Sequence, residues 1–193
     1  MSLIRHPGSG SEPEHRSVWR VLLPAAVGLV LATPVVTWWL VGPLNTAPAR
    51  VGLDYAFRPW PISPAMARAA GITAAVLAVV SLTVLIWAIT RRLLDTRWWA
   101  VLLPLLAAGF IAGAGWRVMT AGVLGSNIGA GFVVLFGGPL VAILVAWALG
   151  YSFHLARQDR RTLPSGRRAS HPERMLWAAL LAMVALCSVA VWR

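Results

Sequence analysis

Polar and apolar positions along this chain are segregated into blocks. Charged residues gather in short clusters, and between them lie uncharged, largely apolar runs at 21–49 (29 residues), 69–90 (22), 98–116 (19), 118–156 (39) and 175–192 (18). An α-helix rises about 1.5 Å per residue and a bilayer's hydrocarbon core is about 30 Å thick, so about 20 apolar residues suffice to cross it. The runs are apolar on every face and show no alternation of period two, which selects helices over barrel strands. The pattern predicts an all-α, polytopic membrane helix bundle with five spans at about 19–42, 68–90, 98–119, 130–153 and 173–192.

The segments between the runs carry their own signals. Residues 1–17 are polar, with Pro7, Gly8, Gly10 and Pro13, and read as a flexible tail; residues 18–193 read as a single transmembrane domain. Pro34 falls inside the first run, where a missing N–H kinks a helix. The loop 43–67 holds five prolines and reads as an extended strap on the membrane surface, with Ser63 then Pro64 as a cap signal that starts the second helix early. Arg91 to Arg97 reads as a hairpin turn, with Asp95 or Thr96 capping the third helix. The glycine-rich link 120–131 either turns at the interface or dips back into the protein. Residues 154–172 form a basic loop, and Ser170 with Glu173 forms a capping box for the last helix.

Composition changes the picture only by excluding alternatives. Of 193 residues, 59% are hydrophobic and 12% charged, with a mean hydropathy of +0.73, about half the usual charge content of a soluble domain. One cysteine, Cys187, allows no internal disulfide and reads as a packing residue. All 17 basic residues other than histidine are arginine, and the net charge is +11.

Their distribution predicts orientation. With the N-terminus cytoplasmic, 12 arginines lie in inner segments, while Arg50, Arg58, Arg68, Arg117 and Arg193 lie outside. An odd number of spans places the C-terminus across the membrane. Trp19, Trp87, Trp98, Trp99, Trp147 and Trp177 then mark inner helix ends, and Trp38, Trp39, Trp116 and Trp192 outer ones. The positive charge is directed at anionic headgroups rather than nucleic acid, because the arginines are divided among short loops and tails. A basic start, an apolar stretch and Ala47-Pro48-Ala49 also resemble a cleaved signal, but Val21 to Val41 is longer than a signal core of about 7 to 15 residues.

Candidate chemistry is sparse. The six acidic residues and four histidines lie outside the predicted cores or at their ends, so acid–base, metal and proton-relay roles at depth have no obvious side chains. No catalytic residue, metal site or cofactor is expected. Arg117 with Asn127 and Asn45 could hold an anionic headgroup or substrate; the plainer reading is an arginine that snorkels to the interface and caps the carbonyls of the turn that follows. Gly137, Gly138 and Pro139, set against Pro34, could form the broken helix of a substrate path, or serve packing alone. Gly109 with Gly113 and Gly125 with Gly129 have the spacing of close helix contact, within the chain or between copies. Arg50, Asp54, Tyr55, Arg58 and Trp60 could anchor a partner on the outer strap, or only cover helix ends.

Three functions are compatible with this inventory. The first is an accessory or assembly subunit of a larger membrane complex, bound to a membrane protein partner or to further copies of itself. The second is a small oligomeric transporter or channel with a path near Pro34, Asn127 and Gly137–Pro139. The third is an interfacial enzyme on a lipid substrate using Asp54, Arg58 and Arg117, for which one carboxylate is poor acid–base equipment. The preference for arginine and alanine points to a bacterial plasma membrane.

Overall fold

A computed structural model describes residues 12–44, 57, 61–94, 96–121 and 126–162. Within them the chain is helical: α1 (Glu12–Val41), α2 (Pro64–Thr90), a 3-10 turn (Thr96–Trp98), α3 (Trp99–Met119), α4 (Ser126–Phe132), a π-helical turn (Val133–Gly137) and α5 (Gly138–Thr162). Four stretches are long and apolar enough to cross a membrane: Val21–Val41, Pro64–Thr90, Thr96–Met119 and Ile128–Leu155. These correspond to the first four predicted spans. The fifth, 173–192, lies outside the described residues, as do the Ser170–Glu173 capping box, Cys187, Asp95 and most of the strap.

Several helix ends depart from the predicted ones for local reasons. α1 begins at Glu12 rather than near residue 18. Proline near a helix start is tolerated because its fixed φ suits the first turn and its missing N–H has no partner there, and Pro13 is the second residue of α1. At its other end Gly42 takes φ +69°, a left-handed conformation that stops the helix without a Cβ clash. α2 starts at the capping signal: Ser63 Oγ accepts from Met66 N at 3.2 Å, ahead of Pro64. It ends in a Schellman arrangement, with Arg92 N donating to Ile89 O and Leu93 N to Ala88 O while Arg92 sits at φ 55°. Thr96 opens the 3-10 turn and does not cap α3 itself. α5 continues past the predicted end at 153, where Arg157 covers the Phe153 ring and His154 pairs with Gln158.

The helices neighbour one another in the order α2, α1, α3, α5. Glycine contacts fix each register. A Cβ on Gly28 of α1 would meet Ser81 Oγ of α2 at 3.1 Å, and the Trp39 ring covers Gly71, so α1 and α2 run antiparallel. Gly109 and Gly113 of α3 lie against Thr33 and Pro34 of α1, and Arg117 reaches Trp38; α1 and α3 are therefore parallel neighbours. Val118 with Gly129, Gly115 with Val133 and Ile111 with Gly137 step in opposite directions at the same rate. One antiparallel register thus runs from α4 through the π turn into α5.

A core cluster fills one half of this bundle, joining Leu22 and Leu29 of α1, Leu85 and Ala88 of α2, Val101 and Leu102 of α3, and Ala148 and Leu155 of α5. That half ends in Arg91, Arg92, Arg97 and Arg157; the opposite end carries Arg68 and Arg117. Coverage is uneven. Of the most apolar 18-residue stretch, 39% is buried in α3, which is flanked on both sides, and only 6% in the last span.

Four hydroxyls inside the spans bond within their own helices. Thr33, Thr37, Thr83 and Ser152 donate to the carbonyl four residues earlier at 2.8–2.9 Å. This satisfies a polar group where lipid offers no partner.

Candidate functional site

The predicted site residues divide into two places and an undescribed remainder. The first place is the end of the bundle where α1 and α3 finish. Gly42 directs its N–H to Trp39 O at 3.1 Å, three residues back, and so leaves Trp38 O to another donor. Arg117 supplies it: Nε donates to Trp38 O at 2.7 Å, and the guanidinium carbon stands 4.0 Å from the centroid of the Trp38 ring. One side chain thereby caps a neighbouring helix, complements the negative end of its dipole and stacks on its aromatic residue. The plainer reading placed the capped carbonyls in the turn that follows α3, whereas the one carbonyl that Arg117 caps belongs to α1. That turn closes itself, with Thr120 Oγ1 donating to Trp116 O at 2.8 Å.

Around this arginine the surface is aromatic. Trp39 points the other way from Trp38 and seats its indole on buried Gly71 of α2. The tryptophan pair therefore joins three helices at one level: Trp38 to α3 and Trp39 to α2. An anion approaching Arg117 would meet a guanidinium already oriented by a carbonyl and a ring face.

The second place is the π turn. Pro139 has no N–H to offer Leu135 O, and its ring crowds that carbonyl, so the ladder is broken four residues before it. The chain answers by widening: Gly138 N bonds to Val133 O, five residues back. π turns of this kind recur at functional positions in helices. Gly137 lies beside Val133 and Ile111, whereas no atom outside the helix lies within 4 Å of a Cβ placed on Gly138.

The structure places Pro34 and Gly137 against opposite faces of α3. Pro34 faces Gly109 and Gly113, and Gly137 faces Ile111, which is about 200° around the helix from Gly109 at 100° per residue. Asn127 belongs to α4, in the first turn of the last described span. Gly109 and Gly113 pack within the chain, Gly129 rests 3.2 Å from Val118 Cγ1 when given a Cβ, and Gly125 is outside the described residues. Asn45, Arg50, Asp54, Tyr55, Arg58 and Trp60 are also outside them; Phe57 is the one described strap residue between them, and it is exposed.

Three members of this arrangement had no distinct signal in the sequence. Trp38 and Trp39 read as a belt, with nothing to assign one to Arg117 and the other to Gly71. Gly71 is one of 17 glycines, and the residues four places to either side of it, Ala67 and Ala75, are alanines rather than a second glycine of the kind that marked Gly109 and Gly113. Among the described residues, no three His, Cys, Asp or Glu side chains are grouped to hold a metal. No protein-family model, no curated protein and no solved structure matches this chain.

Proposed function

We propose that this chain is a five-span protein of a bacterial plasma membrane, N-terminus cytoplasmic and C-terminus outside, acting as an accessory or assembly subunit through helix packing. The observation that carries the reading is the last described span. It is the most poorly covered helix, and it presents Phe132, Phe136, Leu140, Ile143 and Trp147 on an exposed flank. Phe132 and Phe136 stack at 5.5 Å between centroids, giving that flank a broad aromatic surface suited to another helix. The strap residues Arg50, Asp54, Tyr55, Arg58 and Trp60 extend the partner surface on the outer side. The arginine-rich end is the cytoplasmic one, where anionic headgroups attract it.

Extraction of the full chain from its native membrane in mild detergent is expected to recover a membrane protein, or further copies of the chain, in fixed stoichiometry. A monodisperse single chain with no companion overturns the reading. Trp147→Ala with Phe136→Ala is expected to reduce the recovered companion severalfold while leaving the chain folded.

The π turn favours a second reading, a small oligomeric transporter or channel whose path runs along Gly137–Pro139 and Asn127. Pro139→Ala restores an N–H and is expected to close the π turn into regular helix. In reconstituted vesicles, flux of the transported solute should fall with Pro139→Ala and with Asn127→Ala. Flux equal to that of empty vesicles across a broad solute panel removes this reading.

A further inference from the structure

α5 carries a ladder of small residues at intervals of four, Gly138, Ala142, Ala146 and Gly150, and all four are exposed. At 100° per residue they follow one shallow stripe, turned well away from Ala148 and Leu155, which face the core. Among the described residues, no atom outside the helix lies within 4 Å of a Cβ built on Gly138 or Gly150. Lipid tails do not favour small residues over large ones, whereas a second helix does, because small side chains let the backbones approach.

The chain itself supplies an occupant. α5 ends at Thr162 at the arginine-rich end, and the remaining 31 residues begin there. Twelve of them, 163–174, precede the uncharged run 175–192, which is long enough to return along α5. That run has its own ladder of period four: Ala178, Ala182, Leu186 and Ala190. In an antiparallel hairpin that sets Glu173 level with Leu155, Ala178 falls opposite Gly150, Ala182 opposite Ala146, Leu186 opposite Ala142 and Ala190 opposite Gly138. Three levels pair small with small, and the fourth sets one leucine against an alanine. We infer that residues 173–192 dock antiparallel along the Gly138–Ala142–Ala146–Gly150 stripe of α5, completing the bundle on its least covered side. The stripe is well separated from the bulky flank assigned above to a partner at Gly138 and converges on it toward Gly150, which lies about 20° around the helix from Ile143, so Phe132, Phe136 and Leu140 are the part of that flank that stays open.

This inference rests on the fifth span, and the two can be tested apart. In a Cys187→Ala background, Ala146→Cys is combined with Ala182→Cys, and separately Ala142→Cys with Leu186→Cys, in the full chain within native membranes. A protease site in the 163–168 segment then reports an intrachain disulfide as two fragments held together until reduction. Because the link keeps the cysteines at high effective concentration, both pairs are expected to give on the order of tenfold more joined fragments than Leu140→Cys with Ala182→Cys. A covalent dimer of whole chains assigns the stripe to a second copy and overturns the inference. So does an absence of joined fragments from both pairs, or an equal yield from the control. Terminal tags separate the causes: tags on the same side of the membrane remove the fifth span itself, and tags on opposite sides without crosslinking remove only the docking.

Discussion

Gly113→Ala is expected to destabilise the protein by about 1–3 kcal/mol or more, the usual penalty for forcing extra volume into a packed contact. The added methyl meets the Pro34 carbonyl oxygen, carbonyl carbon and Cα of α1, all backbone atoms, well inside van der Waals contact. Backbone cannot swing aside as a side-chain tip does, so α1 and α3 must separate. α1 is also the helix against which α2 makes its main contact, so the damage spreads. Gly109→Ala is a graded control: its methyl meets the Pro34 ring and Thr33 at 3.2–3.4 Å, a distance that small side-chain shifts relieve. Gly131→Ala is the opposite control. Its methyl has nothing within 4 Å, and alanine is about 1 kcal/mol better than glycine inside a helix. Thermal unfolding in mild detergent should rank the three with Gly113→Ala lowest, Gly109→Ala intermediate and Gly131→Ala at or above the parent. Equal midpoints for Gly113→Ala and Gly131→Ala would show that α1 and α3 are not in contact at Pro34.

Arg117→Met is expected to lose about 2–4 kcal/mol by the same measurement. The substitution removes a charge-assisted hydrogen bond to Trp38 O, worth about 1.5–3 kcal/mol, and a cation–π contact worth about 0.5–2 kcal/mol. It also strands a carbonyl at the end of α1, where Gly42 has already committed its N–H to Trp39 O. Methionine keeps much of the stem's apolar volume, so the loss reports the guanidinium. Arg117→Lys should recover only part of the stability, since an ammonium lacks the planar fork that serves the carbonyl and the ring together. A role confined to binding an anion would give a different result: unchanged unfolding for both variants, with loss of bound phosphate or lipid headgroup alone.

Both substitutions act on contacts that the sequence indicated only by type. The Gly109–Gly113 spacing marked a face for close approach, and the arginine at a helix end marked a cap. Neither named the partner. Pro34 was legible as a kink, but not as the carbonyl against which α3 rests. Gly137–Pro139 was legible as a disturbance in the last described span; its resolution into a π turn depended on where the freed N–H groups found acceptors. The Ser63–Pro64 start of α2 was readable because a cap is settled within four residues.

Charge gaps, run lengths and local stops determined by themselves that the described chain contains four long apolar helices, and roughly where each begins and ends. These are properties of single segments, governed by solvation and by hydrogen bonding within a few residues. The tertiary structure alone decided that α1 and α3 are parallel neighbours with α2 outside one and α5 outside the other, and that Trp38 and Trp39 serve different helices. The reason is that these spans are apolar around their whole circumference, so no hydrophobic stripe indicates which side faces protein and which faces lipid. Shape decides instead: a glycine under a tryptophan ring, and another beneath a proline carbonyl, fix the neighbours that hydrophobicity leaves undetermined.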